Sequence, residues 1–218
     1  MDEKYEIIYG NSFPVVRYKL SQGEKLKAES GAMISMSATI DLTGGLEGGL
    51  IKSLKRLFAK EKFFFQYFKA TRGPGEVIFA QSQPGGISVI KLNGDYEIMV
   101  QKDGYLASTE GIEVDATVQW HLWRGLFSGA GFVVLKVSGQ GTVFLSSYGS
   151  IHQITLGQGE QVVVDNGHLV AWPSYMSYSI EKAARGWISS FKSGEFLVCR
   201  FTGPGTLLVQ TRKKRGPI

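Results

Sequence analysis

One short pattern occurs three times along the chain. Gly73-Pro74-Gly75 runs into EVIFAQS, Gly139-Gln140-Gly141 into TVFLSSY, and Gly203-Pro204-Gly205 into TLLVQTR. A glycine followed by an acid keeps the same beat at Gly23-Glu24, Gly94-Asp95 and Gly159-Glu160. Between these marks LSQGEKLKAESGAMIS (Leu20 to Ser35) aligns without a gap on LGQGEQVVVDNGHLVA (Leu156 to Ala171), and LNGDYEIMVQKDGYLA from Leu92 follows them with small gaps. Self-similarity at a fixed period is the mark of stacked supersecondary units, each unable to bury its apolar face alone. The chain therefore reads as one compact domain, 1–211, made of three pseudo-repeats of about 65 residues (about 5–72, 73–138 and 139–211), followed by a basic tail, 212–218.

The unit is β in character. Short runs rich in Val, Ile, Phe and Tyr are bounded by glycines or by Asn166-Gly167, which is hairpin grammar because glycine supplies the positive φ that primed turns need. PVVRYKL from Pro14, ISVIKL from Ile87 and SIHQITL from Ser150 precede the three Gly-acid marks; in the last, His152 and Ile154 share one face while Ile151 and Leu156 depart from it, which predicts bulged or two-sided strands. The fold class is all-β: tandem β-sandwich or rolled-sheet pseudo-repeats with one short amphipathic helix. That helix is read at Leu50, Ile51, Leu54, Leu57 and Phe58, which share one face, with Lys52, Lys55, Arg56 and Lys60 on the other. A strongly apolar strand between Lys62 and Lys69 follows it.

Composition narrows the function. Of 218 residues, 43% are hydrophobic and 28 are glycine, which excludes a disordered tail, and no G-X-Y period exists to suggest collagen. The net charge of +5 is local: it sits in Arg212, Lys213, Lys214 and Arg215 and in the Glu47 to Lys62 stretch, and the rest of the chain is slightly acidic. A globally basic nucleic-acid groove is not indicated, and a four-charge tail gives only salt-sensitive contact. These two patches are nevertheless the candidate partner-contact residues: Lys52, Lys55, Arg56, Lys60, Arg212, Lys213, Lys214 and Arg215. The single Cys199 forms no internal disulfide and reads as a small apolar strand residue. The N-terminus opens on Asp2, Glu3 and Lys4 without an apolar run, and no stretch is long enough to span a bilayer, so the expectation is a cytoplasmic protein.

No constellation of reactive residues is visible. His121, His152 and His168 lack metal-ligand spacing, and His168 falls at the repeat position of Ala32 and Tyr105, a turn substituent. No G-x-S-x-G occurs, and GGLEGGLIKS has Ile51 before Lys52 where a phosphate loop requires glycine. Glu24, Asp95 and Glu160 recur as a set, which predicts carboxylates that accept backbone N–H bonds within turns. Trp120, His121, Leu122, Trp123 and Arg124 could line a stacking pocket, or form part of the core beside a glycine-rich loop. No cofactor and no metal is expected.

The stretch Gly139 to Trp172, the GPG strand from Gly203 ending in VQTR, and the glycine-rich loop before LKRLF together resemble the altered-inheritance-of-mitochondria (mitochondrial biogenesis) family. The resemblance implies an all-β body of tandem pseudo-repeats with a fold similar to the tryptophan RNA-binding attenuation protein, a ring-like or trimeric assembly, and no established enzymatic activity. Fold similarity does not carry RNA binding with it, and none of that protein's functional residues has a match here. Three readings follow. The first is a non-enzymatic homo-oligomeric scaffold or binding protein, a trimer, with possible peripheral membrane or protein-complex contact. The second is a nucleic-acid-binding module using the basic helix and tail. The third is a small-ligand or enzyme pocket near Trp120–Arg124.

Overall fold

A computed structural model describes residues 4–10, 13–45, 65–118, 133–182 and 197–213. The expected helix with Lys52, Lys55, Arg56 and Lys60, the Trp120–Arg124 cluster, and Lys214 and Arg215 lie outside the described residues.

The described chain is built almost wholly of strands. The first third contributes β1 (Tyr5–Ile8), β2 (Val15–Leu20), β3 (Lys25–Glu29), β4 (Met33–Met36), β5 (Ile40–Gly45), β6 (Phe65–Ala70) and β7 (Gly75–Phe79). The middle contributes β8 (Ile87–Asn93), β9 (Ile98–Gln101), β10 (Tyr105–Thr109), β11 (Ile112–Val118) and the long β12 (Val133–Ser146). The last contributes β13 (Ile151–Leu156), β14 (Gln161–Asp165), β15 (Leu169–Pro173), β16 (Ser177–Lys182), β17 (Leu197–Thr202) and β18 (Gly205–Gln210). Alternation drives these assignments: Val16, Tyr18 and Leu20 of β2, and Leu197, Cys199 and Phe201 of β17, point inward while their neighbours do not.

The hydrogen-bond registers recur. Leu20 of β2 lies opposite Gly75 of β7, Leu92 of β8 opposite Gly141 of β12, and Leu156 of β13 opposite Gly205 of β18, all antiparallel. On their other edges β7, β12 and β18 take β4, β10 and β15, each with a register shift at the same place, between Met33/Ser35, Tyr105/Ala107 and Leu169/Ala171. The shifts fall in β4, β10 and β15, whereas β2, β8 and β13, the irregular SIHQITL strand among them, pair in continuous register. A second layer pairs β6 with β3 and β5, the first half of β12 with β9 and β11, and β17 with β14 and β16.

Two details differ from the sequence reading. Hydrogen bonds tie β7 to β2 and β4, so Gly73–Phe79 completes the first group of strands rather than opening the second at residue 73. The G-x-G glycines are also more than turn formers. A Cβ on Gly203 would fall on the Gly157 carbonyl, and one on Gly139 on the Gly111 carbonyl, so the first glycine of these two pairs is required by the close approach of another backbone segment.

Successive groups are joined by one kind of pairing. β3 pairs with β10, Ala28 opposite Ala107, and β9 pairs with β15, Val100 opposite Ala171. These joints make one sheet of eleven strands, flanked by a four-stranded sheet ending on β4 and a three-stranded sheet ending on β14. The core comprises three apolar clusters, around Phe68, Phe79 and Phe144, around Val100, Tyr105 and Leu145, and around Trp172, Cys199 and Phe201.

Candidate functional site

The recurring registers show which positions correspond. Tyr18, Ile90 and Ile154 face Val77, Val143 and Leu207. In the strands that form the joints, Ser35, Ala107 and Ala171 correspond, facing Ile78, Phe144 and Leu208, and so do Ala28, Val100 and Val164, facing Gln66, Leu135 and Cys199. The β3·β10 and β9·β15 joints use these same positions, yet β4 and β14 are left without such a partner among the described residues.

The consequence is visible in burial. Leu106 and Val170, inside the two joints, are fully buried, whereas the corresponding Ile34 is 57% exposed. Lys27 and Met99 are buried by their joints, whereas the corresponding Val163 is 45% exposed. Lys27 is accommodated there because its Nζ donates to the Ile112 carbonyl at 2.8 Å and lies 5.3 Å from the centre of the Phe65 ring. Unpaired edges carrying aliphatic side chains are templates for strand addition. The gapless alignment of Leu20–Ser35 on Leu156–Ala171 already places Ile34 on Val170 and Lys27 on Val163; what sequence alone lacked was which strands end the array.

The acids recurring in the turns divide two to one. Glu24 Oε2 accepts from the Ser21 N–H at 2.9 Å, and Glu160 Oε2 from the Gly157 N–H at 2.7 Å. Asp95 instead pairs with Asn93, whose side-chain oxygen accepts from the Asp95 N–H at 3.2 Å. Burial alone would raise the Glu24 carboxyl, but the Ser21 N–H and the Lys4 ammonium outweigh it and hold it below the ordinary carboxylate range. Among the described residues no group of three or more His, Cys, Asp or Glu could hold a metal ion. Burial pushes the Cys199 thiol up to about 12, with a further contribution from Asp165, which makes it a packing residue as its strand context predicts.

His168 Nδ1 lies 2.6 Å from the Gln210 carbonyl, a structural contact. Its register shifts one expected correspondence: Tyr105 faces Leu145 as Leu169 faces Val209, so His168 corresponds to Gly104 rather than Tyr105. Of the basic tail, Arg212 and Lys213 are described, and the body holds them. The Arg212 N–H donates to Tyr148 O at 3.1 Å, and Lys213 Nζ lies 2.7 Å from Asp165 Oδ2, whose partner oxygen caps the Gly167 N–H. The first two residues of the tail are thus part of the body, because the chain after β18 gives its hydrogen bonds to the segment before β13.

Two clefts flank the joints on one face. In the first, Phe144 is surrounded by Tyr18, Phe79 and Tyr5 at ring-centre distances of 6.1, 5.4 and 5.2 Å, all edge-on. Tyr5 comes from β1, which pairs antiparallel on the outer edge of β2 with Tyr5 opposite Tyr18. In the second, Ile90 and Leu208 stand where Tyr18 and Phe144 stand in the first, and a cavity of about 360 Å³ opens between them. Tyr96 and the exposed Tyr175 form its rim, their rings 6.4 Å apart.

The comparisons with known proteins agree in direction. The family model described as "Mitochondrial biogenesis AIM24" matches residues 5–212. An uncharacterised protein of Streptococcus pyogenes serotype M6 is 26% identical over 215 residues, which cover 95% of this chain and 85% of that one. Proteins named altered inheritance of mitochondria protein 24, mitochondrial, are 26% identical in Verticillium alfalfae and 21% in Aspergillus flavus, over 78% and 98% of this chain. This chain spans only 44% and 63% of the length of those two fungal proteins. A crystal structure of a Streptococcus pyogenes protein superposes with a TM-score of 0.77 at 26% identity, covering 96% of this chain and 93% of the other. Among the described residues no helix is long and apolar enough to cross a membrane.

Proposed function

Because the chain belongs to the mitochondrial biogenesis AIM24 family, we propose that it works as a non-enzymatic oligomeric scaffold or binding protein, assembled head to tail through β14 of one copy and β4 of the next. The observation that carries this is the joint made twice within the chain and left open at both ends, with Ile34 and Val163 exposed where their counterparts are buried. The same registers place Val164 of one copy opposite Ser35 of its neighbour, and Val163 opposite Met36.

The joint is heterologous, so it closes into a ring or runs on as a filament. A ring of three copies, each a set of three pseudo-repeats, leaves neither β4 nor β14 with a free edge. This assembly offers a broad surface on which a membrane-bound or multiprotein partner could be organised, and a role of that kind needs no reactive centre. Lys213 is already engaged with Asp165, which weighs against a nucleic-acid role for the tail.

Size-exclusion chromatography with light scattering tests the assembly. The expected result is a single species with three times the 23.9 kDa chain mass. A monomer at every concentration up to about 100 μM would overturn it, since specific homo-oligomers of standard interface size dissociate well below that.

A further inference from the structure

The two clefts are built alike and filled differently. β2 carries β1 on its outer edge, and β1 delivers the Tyr5 ring to Phe144. β8 pairs only with β12 among the described residues, so beside the cavity of about 360 Å³ no described strand lies on its outer edge as β1 lies on β2. The register of Tyr5 opposite Tyr18 fixes where an equivalent ring would fall: opposite Ile90, against Leu208 and Ala171, both of which line that cavity.

Charge repeats as well. Lys4, one residue before Tyr5, puts its Nζ 2.9 Å from Glu24. Asp95 stands at the place of Glu24 in the turn after β8, and it is exposed. Two residues after Tyr5, Ile7 pairs with Val16, and the corresponding position on β8 is Ser88, at the cavity edge.

We propose that the outer edge of β8 is a docking site for an extended segment of a partner protein with the order basic, aromatic, any residue, aliphatic. The segment adds antiparallel to β8 as β1 adds to β2. Its aromatic ring fills the cavity between Ile90, Tyr96 and Leu208, and its basic residue reaches Asp95. Main-chain hydrogen bonds to the edge supply affinity, and the pocket for one side chain supplies selectivity, as in other cases of strand addition. Tyr96 and Tyr175 suit the role because each presents an apolar ring and a polar tip at the rim. The site is separate from the β4 and β14 edges, so it stands or falls independently of the head-to-tail assembly.

The test uses the full chain and a fluorescein-labelled peptide with the sequence of residues 4–9, followed by anisotropy. The expected result is saturable binding with a Kd of about 10 to 500 μM, the range of a short strand held by one anchor. Replacing the first tyrosine of the peptide, that of Tyr5, with alanine is expected to abolish binding, whereas the same change at Tyr9 is not. Ile90→Lys is expected to weaken it at least tenfold, and Asp95→Lys, an exposed change that spares the core, about three- to tenfold.

The proposal is overturned by no binding at 1 mM peptide, about the weakest affinity worth calling specific. It is equally overturned by binding that neither Ile90→Lys nor Asp95→Lys changes, which would place the peptide on another edge, that of β2 or of β13. Circular dichroism of both variants shows whether they remain folded, and Asp95→Lys decides the matter if Ile90→Lys does not.

Discussion

Val163→Asp is the substitution that should separate the copies while leaving each chain folded. Val163 is 45% exposed and Ile34 57% exposed in the isolated chain, and the joint would remove both from water as it removes Met99 and Leu106. Together they would bury about 150 Å² of mainly apolar surface, worth about 4 kcal/mol per joint at ~25 cal/mol per Å². Aspartate at 163 forfeits about half of that and sets an unpaired carboxylate in the joint, which costs about 3 kcal/mol more. The total of about 5 kcal/mol corresponds to a dissociation constant raised roughly 10³- to 10⁴-fold. In the isolated chain the same change is nearly neutral, within about 0.5 kcal/mol, because the side chain faces solvent on an edge strand. The assay is light scattering over a concentration series, paired with urea denaturation of the dissociated chain. The variant should elute at 23.9 kDa with an unfolding midpoint at or near that expected of an intact chain. A variant that keeps the mass of the parent would refute the assignment of Val163 to an interface. Unfolding of the variant would instead show that β14 is held within the chain.

Other changes probe the chain itself. Gly139 has φ +98°, and a Cβ there would fall on the Gly111 carbonyl, so Gly139→Ala should destabilise by about 3 kcal/mol in urea denaturation; an unchanged midpoint would contradict the close approach of β11 and β12. Glu24 has a lowered folded-state carboxyl, so its contribution is fully present above its ordinary value near 4.5 and is lost as pH falls through its folded value. Glu24→Gln should therefore lower stability at pH 7 and flatten the acid limb of the stability curve, and an acid limb identical to that of the parent would show the carboxylate to be idle. Cys199, with its thiol pushed up to about 12 by burial, should be silent toward a thiol reagent at pH 8 until denaturant is added; prompt labelling of the native protein would mean that β17 opens readily.

Much of this architecture is legible in the residues because its grammar is local. The Gly-acid turns and the strands opposite the G-x-G glycines announce themselves by spacing, and β2, β8, β13 and β18 lie where those marks put them. The gapless match of Leu20–Ser35 to Leu156–Ala171 even carries the bulge at Met33/Ser35 and Leu169/Ala171. What sequence cannot supply is long-range pairing. Ile34, Leu106 and Val170 are equally apolar, and only the order of strands shows that Ile34 alone lacks a cover. The same holds for Tyr5: one tyrosine in an N-terminal strand says nothing of a cleft until β1 is seen to lie on β2 beside Phe144, a residue far along the chain. Charge in the sequence marks the tail, where Lys213 is engaged with an acid, whereas the β4 and β14 edges are marked only by the exposure of aliphatic side chains, which pairing decides.

The head-to-tail joint is tested most directly by a disulfide across it. Val163→Cys and Met36→Cys are made in separate chains, mixed and oxidised; Cys199 is buried and does not compete. Opposite residues on adjacent strands have Cβ atoms about 5 Å apart, within reach of a disulfide after slight adjustment. The expected result is a reducible dimer formed only in the mixture, and not when Met33→Cys replaces Met36→Cys. Absence of the dimer from the mixture, or equal yields with both partners, would contradict the pairing of β14 with β4.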